Sequence, residues 1–440
     1  MTVTTDVLVL GGGMAGVAAA QTLGEAGVRT TLVDRADYHQ FQPLLYQVAT
    51  SQLPAEDVAR PLRTIFESVP SVDVVVQAVS SASLADRTLV LADGRSLSAA
   101  HVVVAAGARP NFFGVPGAVE HAFPLYSVAD AERLRGHHRA LVDDAGAHGV
   151  GGPGSRDVVV VGGGPTGVEV SGALAELVAA LVAHGRMPAD ARVHLVDRGH
   201  AVLGQFSPRA QAYAHEHLAA VGVDLRLGAG VASVHADAVE LDDGTRLPTR
   251  TVIWAGGESG AAVAQSAGPT TGRGGRLDVR ADLGVEGFPG VWAVGDVANV
   301  PSGTHAGAPI LPQLGSVAQQ SGRWAAQNIL RSAQGDDLAP FHYKDKGIMA
   351  MIGRNAAVAE LGAHRHEVDG PLAFAAWLGV HAMLLSGVHS RTDAFLSWAW
   401  EYFDRDHAAT VEAHDSPRRI AWGDDAHDVP HIDLGAPTSE

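Results

Sequence analysis

TDVLVLGGGMAGVAAAQTLGEAGVRTTLVD, residues Thr5 to Asp34, reads as one strand, turn, helix and strand, and the rest of the 440-residue chain is organised around it. The apolar run Val7 to Leu10 suits a buried strand. Ala15 to Ala26 suits a helix, and Arg29 to Val33 a second strand that ends at the carboxylate of Asp34. Three glycines make the turn. Gly11 permits the sharp bend, Gly13 leaves backbone bare for a pyrophosphate, and Gly16 lets helix pack on strand, so the helix amino end faces the phosphates. Asp34 stands where such a unit holds a ribose hydroxyl pair. The same glycine spacing also occurs in plain packing turns; the strand, helix, strand frame is what marks a dinucleotide site.

The unit occurs twice. DVVVVGGGPTG, Asp157 to Gly167, repeats the glycines as Gly162, Gly164 and Gly167, and a helix through His184 and a strand Val193 to Val196 lead to Asp197. A hairpin turn at Asp93 and Gly94, between Thr88 and Leu97, returns as Asp243 and Gly244 between Glu240 and Leu247. The strand His101 to Ala106, ending at Gly107, returns as Thr251 to Gly257 with Gly256 in its glycine pair. Gly11 and Gly162 lie 151 positions apart, and Gly94 and Gly244, like Gly107 and Gly257, lie 150 apart. Three landmarks in register imply duplication of a whole nucleotide-binding domain.

Two nucleotide sites in one chain imply electron transfer between two cofactors. FPGVWAVGDVA, Phe288 to Ala298, has no counterpart after the second glycine turn, and it places Gly295 and Asp296 at a strand end. A carboxylate there can accept hydrogen bonds from a ribityl chain, which flavins have and nicotinamides lack, or it can cap the next loop. The ribityl reading assigns FAD to the first domain and NAD(P)H to the second. The expected class is α/β: two Rossmann-like dinucleotide-binding domains, with the NAD domain (151–257) inserted into the FAD domain (1–150 and 258–340), and a helical C-terminal segment (341–403) before an acidic, disordered tail (404–440). Asp197 favours NADH, since its charge would repel a 2′-phosphate.

Composition excludes several classes. A formal charge of −17, with Lys344 and Lys346 the only lysines, leaves no basic stripe for nucleic acid. The chain has no cysteine, which removes disulfide reductases, thiol peroxidases and sulfide oxidases, all dependent on a thiolate. No metal site is expected; the tail histidines His407, His414, His427 and His431 are scattered among aspartates. The first strand begins by Asp6 and leaves no room for a signal peptide, and no uncharged apolar run reaches about 18 residues. Between the landmarks, YHQFQPLLYQVAT, Tyr38 to Thr50, either lies over a flat ring system or packs on the core. AEDVARPLRTIF, after Pro54, suggests one helix kinked at Pro61. Ala108 to Tyr126 reads as a crossing segment, Ala145 to Ser155 as a linker, and Pro312 as the start of a helix whose N–H groups face the flavin.

From Val7 to about Tyr402 the chain resembles the type II NADH:quinone oxidoreductases, single-chain NADH dehydrogenases that pump no protons. The resemblance rests on GGGMAG, FQPLLYQVAT, GGGPTGVE, WAVGDVA, YKDKGIMAMIGRNAAVAE from Tyr343 and WLGVHAMLLSGVHSR from Trp377, the last two being the most specific. It implies a ping-pong reaction: NADH gives a hydride to flavin, NAD leaves, and reduced FAD passes two electrons to a quinone. It also implies that Glu169 is the acid between nicotinamide and flavin, setting geometry by hydrogen bonds; helix-dipole stabilisation alone is the competing account. The family's quinone segment A-Q-x-A-x-Q corresponds here to GSVAQQ, so Ser316 and Gln320 are the quinone-site candidates, with Ser316 in place of a glutamine.

Leu372 to Leu385 and Phe395 to Phe403 supply apolar and aromatic faces for a membrane surface, a homodimer interface or core, while the tail from Asp404 is acidic. The expectation is peripheral association with the cytoplasmic side of the cell membrane, driven by apolar insertion rather than charge. A soluble cytoplasmic enzyme with another acceptor, and an NADH-sensing flavoprotein resembling apoptosis-inducing factor, are the alternatives.

Overall fold

The computed structural model describes residues 2–148, 156–269, 271–305 and 307–385. The linker residues 149–155, the aromatic segment Phe395 to Phe403 and the acidic tail with its histidines lie outside the described residues.

The opening unit forms as the residues dictate: strand Thr2–Leu10, helix Met14–Glu25 and strand Thr30–Asp34, with Val7 through Leu10 buried. Thr2–Leu10 lies between two parallel neighbours, Thr30–Asp34 and Ser96–Val104. Such a position is dry on both faces, which is why the strand reads as a continuous apolar run. Ser96–Val104 does double duty. Its first half pairs antiparallel with Thr88–Leu91 across the Asp93–Gly94 hairpin, and its second half pairs parallel with Val291–Ala293, which brings Asp296 to the carboxyl end of the first sheet.

The second sheet is parallel, in the order Ala122–Pro124, Thr251–Trp254, Val158–Val161, Val193–Asp197 and Val223–Leu227. Its first strand corrects the expected boundary at residue 150. Ala122–Pro124 already pairs with Thr251–Trp254, and the chain passes between the two units through a short antiparallel ribbon, Ala108–Pro110 against Glu258–Gly260. The division at 150 followed linker composition, whereas Val128–His148 is a helix that runs into the start of that stretch, through residues 145–148.

Three further expectations are revised. The segment after Pro54 is no single kinked helix: Ala55–Val58 and Leu62–Ile65 are one-turn helices separated by the extended Ala59–Pro61, which pairs with Tyr38–Gln40. Pro61 has no N–H to carry one helix through; it closes the extended stretch and caps the start of Leu62–Ile65. Pro312 lies in coil, and its helix begins later, as Gly315–Gln334. The C-terminal segment opens as an antiparallel sheet, Gly347–Gly353, Ala356–Leu361 and His366–Asp369, before the helix Gly370–Leu384. Asn355, with φ 60°, makes its first tight turn.

That C-terminal sheet rests on the second domain's helix Pro165–Ala183. A methyl group on Gly172 would strike the carbonyl of Ile352, so helix and strand touch backbone to backbone. Pro165–Ala183 is the one described helix long and apolar enough to cross a membrane by length and composition, yet 61% of its apolar window is buried inside the fold. Tyr38 to Thr50 joins the same core: Phe41, Leu44, Leu45, Tyr46, Val48 and Ala49 pack with Trp377 and Ile352.

Candidate active site

The two glycine turns are built alike. Gly11 and Gly162 hold φ of 110° and 113°, where a side chain would collide with the carbonyls of Ala105 and Ala255. On Gly16 a methyl group would strike the Gly11 carbonyl, and on Gly167 the Gly162 carbonyl. Gly13 and Gly164 differ: a methyl group there meets no atom within 4 Å. Both are the N-caps of their helices, and neither helix has a side-chain cap or an acid in its first turn. Each turn thus presents bare, positively polarised N–H groups to open space, as a pyrophosphate requires.

Asp34 and Asp197 are equally matched. Gly12 N–H donates to Asp34 Oδ2 at 2.5 Å, and Gly163 N–H to Asp197 Oδ2 at 2.6 Å. The second oxygens accept from Ala36 N–H at 2.8 Å and Gly199 N–H at 2.5 Å. Both carboxylates are therefore fixed beside the phosphate turns, each with lone pairs left to accept from ribose hydroxyls. A residue that sequence reasoning missed braces the first turn: buried His39 donates from Nδ1 to the Gly12 carbonyl at 2.9 Å. Its burial lowers its pKa, so the ring is neutral at pH 7.

Asp296 distinguishes the first site. Its Oδ1 is buried and has no protein hydrogen-bond partner. Burial pushes this carboxyl up to about 6, with Arg276 opposing. An acceptor left in this condition fits a ligand that brings hydroxyl donors, as the ribityl chain of FAD does. Gly295 beside it has φ 69° and donates its N–H to Ser321 Oγ at 3.1 Å. Gly107 likewise has a left-handed φ of 69°, and Gly256 lies against the indole of Trp254. The amino end of Gly315–Gln334 abuts this site, since a methyl group on Gly315 would crowd Met14 Sδ at 2.6 Å.

Glu169 lies beyond the first turn of Pro165–Ala183, so the helix dipole does not account for it. It is 8% exposed, and Oε1 accepts from the Met351 N–H at 3.2 Å. Burial pushes the carboxyl up to about 8, opposed by the Met351 N–H. At neutral pH Glu169 is a carboxylic acid, able to donate as well as accept. Trp377 is fully buried, so this residue takes the core role among the three expected for its segment. The helix Gly370–Leu384 has two apolar faces: Trp377 and His381 point inward, while Leu372 and Met383 are 77% and 71% exposed.

The structure separates the two acceptor-site candidates. Ser316 shares a 2.8 Å hydrogen bond with the Tyr343 hydroxyl, a partner the sequence did not suggest. Gln320 is engaged with backbone: its Nε2 donates to the Lys344 carbonyl at 3.1 Å, and its Oε1 accepts from Lys344 N–H at 3.0 Å. Gln320 thereby fixes the chain beside Tyr343.

Residues 5–322 match the family profile described as pyridine nucleotide-disulphide oxidoreductase. The type II NADH:quinone oxidoreductase NdhA of Mycobacterium tuberculosis is 34% identical over 420 residues, covering 91% of this chain and 87% of the relative. Ndh of the same organism is 33% identical over 413 residues, covering 89% and 87%. The structure of NDH2 from Plasmodium falciparum in complex with NADH has the same fold, with a TM-score of 0.84 at 17% identity over 92% of this chain and 99% of that one. The sulfide:quinone oxidoreductase of Aquifex aeolicus shares it at 0.71. The disulfide and sulfide chemistries named in two of these descriptions require a thiolate, and this chain has no cysteine.

Proposed function

The chain belongs to the type II NADH:quinone oxidoreductases, and from that premise we propose how its residues divide the reaction. It is an FAD-dependent NADH dehydrogenase, and the overall change is NADH + H⁺ + quinone to NAD⁺ + quinol. When bound, FAD takes a hydride from NADH and returns two electrons to the quinone.

The protein's part is binding, orientation and proton placement. Gly11, Gly13 and Gly16 with Asp34 hold the pyrophosphate and ribose of FAD; Asp296, supported by Gly107 and Gly295, takes its ribityl hydroxyls. Gly162, Gly164, Gly167 and Gly256 with Asp197 hold NADH. Glu169 carries a proton at neutral pH, so it can hydrogen-bond reacting groups without placing a formal charge beside them. Ser316 and Tyr343, rather than Gln320, offer hydroxyl donors to a quinone carbonyl.

We further propose that the exposed face of Gly370–Leu384 seats the enzyme on the inner face of the cytoplasmic membrane. Leu372, Val380, Met383 and Leu384 are exposed on one helix with no charge among them, as insertion by apolar area requires. A long-tailed quinone resides in lipid, and this exposed apolar face is a surface at which the enzyme can meet it.

The observation that carries this reading is the placement of Glu169, on the helix that begins at the second glycine turn and against the C-terminal sheet. Steady-state turnover with a quinone analogue, oxygen and soluble dyes tests it: parallel double-reciprocal lines and preference for quinone are expected. Slow turnover with every acceptor, together with a long-lived complex of reduced flavin and nicotinamide, would point to an NADH sensor instead.

A further inference from the structure

Two phenylalanines stand side by side just after the ribbon that joins the two domains, and the fold treats them oppositely. Phe112 is half-buried, its ring against Trp254 with 5.4 Å between centroids. Phe113 is 60% exposed, and its φ of 50° lies in the left-handed region that a bulky side chain rarely adopts. Asn111 holds it there. Asn111 Oδ1 accepts from the Phe113 N–H at 2.9 Å, its carbonyl accepts from the Trp254 indole N–H at 2.8 Å, and its own N–H donates to the Gly257 carbonyl at 3.0 Å. The ring is thus turned outward and tied to the end of Thr251–Trp254. Gly257 makes room for it, since a methyl group there would lie 2.9 Å from Phe113 Cζ.

That place borders the second nucleotide turn. A methyl group on Gly162 would strike the Ala255 carbonyl and lie 2.9 Å from Gly256 Cα, so the turn sits on the two residues before Gly257. In the sheet, Val193–Asp197 flanks Val158–Val161 on one side and Thr251–Trp254 flanks it on the other. A dinucleotide crosses the carboxyl ends of the strands at such a reversal of order. With its adenosine ribose at Asp197 and its pyrophosphate at Gly164, its nicotinamide half passes over the end of Thr251–Trp254. We propose that Phe113 is the outer wall of the site for that half: its ring packs on the nicotinamide riboside of NADH and is covered when the nucleotide binds. The inference deepens the assignment of NADH to the second turn and rests on it. Strained backbone is retained where it aims a group at a ligand, and an aromatic face suits a planar ring.

The test is calorimetric titration of the full-length, FAD-loaded protein with NAD⁺ and with ADP, which lacks the nicotinamide riboside. In Phe113→Ala the Kd for NAD⁺ should rise by about tenfold, as expected when a ring's contact area is lost, while the Kd for ADP stays the same. Phe113→Gly removes the ring and suits the left-handed backbone, so an equal rise there sets the ring's contribution apart from any distortion of the loop. Phe113→Tyr keeps the ring and should bind NAD⁺ as the natural protein does. Unchanged NAD⁺ affinity in the alanine and glycine variants, or equal weakening of NAD⁺ and ADP, overturns the proposal. Asp197→Ala, at the other end of the nucleotide, should weaken both probes. If it weakens neither, the second turn is not the NADH site and both readings fall; if it weakens both while the Phe113 variants bind normally, Phe113 alone is removed.

Discussion

The Met351 N–H donates to Glu169 Oε1 across 182 positions of sequence, joining the C-terminal sheet to the helix that begins at the second glycine turn. Two consequences can be measured. If Glu169 positions the reacting groups, Glu169→Gln should slow single-turnover flavin reduction by roughly 10- to 100-fold while leaving FAD bound. An unchanged rate would return Glu169 to a purely structural role.

The same carboxyl sets a pH dependence of stability. Its folded pKa of about 8 lies above its ordinary value of 4.5, so the folded state binds more protons and stability falls as pH rises from 4.5 to about 8. Glu169→Gln removes that penalty and should stabilise the FAD-free protein by about 1–3 kcal/mol at pH 8, a gain that vanishes in acid. Thermal melts across that range would show the difference; a destabilised variant at pH 8 would contradict it.

If Asp296 takes the ribityl hydroxyls, Asp296→Ala should purify with little FAD, because a buried acceptor without a protein partner is gone, whereas Asp296→Asn should keep part of it. Flavin absorbance per chain measures this directly. Normal content in the alanine variant would assign Asp296 to the loop alone.

Asp197, fixed by two backbone N–H groups, should make NADH the better substrate, since a 2′-phosphate would meet its charge. Replacing Asp197 with Ser should narrow the ratio of kcat/KM for NADH over NADPH by about tenfold or more. Equal values for the two nucleotides in the natural protein would end this assignment.

On the second sheet His194 lies between Asp157, at 3.2 Å, and Asp224, at 2.8 Å. Burial lowers its pKa, but the two carboxylates outweigh burial and raise it above 6.5. Its stabilising contribution is therefore full below pH 6.5 and lost as pH rises through the raised value. His194→Gln should cost about 1–2 kcal/mol near pH 6 and less near pH 9. A cost independent of pH would mean that packing, not charge, holds this residue.

Leu372→Glu and Met383→Glu alter exposed positions, so stability should change by less than about 0.5 kcal/mol. Flotation with liposomes and turnover of a long-tailed quinone should both fall, with a water-soluble acceptor unaffected. Loss of a dimer in sedimentation, with flotation intact, would assign this face to self-association.

The duplicated glycine turns, the strand-end carboxylates Asp34 and Asp197 and the strand end at Asp296 were legible in the sequence because each is a local requirement. A turn with φ above 100° accepts only glycine and a carboxylate at a strand end is fixed by strand length; the turns recur 151 positions apart, at Gly11 and Gly162, and the carboxylates 163 apart, at Asp34 and Asp197. The C-terminal half was less legible. Leu372, Trp377 and Met383 look alike as apolar letters, and nothing in their spacing says that Trp377 is buried while the other two face outward. Ser316 and Tyr343, 27 positions apart, show no pattern that pairs them, and Gln320 gives no sign that Lys344 backbone occupies it. The boundary at 150 was misplaced because a strand of three residues, Ala122–Pro124, belongs to a sheet through partners more than a hundred positions later. Sequence alone determined the fold, the two glycine turns and the exclusion of thiol chemistry, since these depend on backbone conformation and residue type. Tertiary structure decided the burial of Glu169, the Met351 donor beside it and the outward face of the last helix, because burial and hydrogen bonding arise only when distant segments meet.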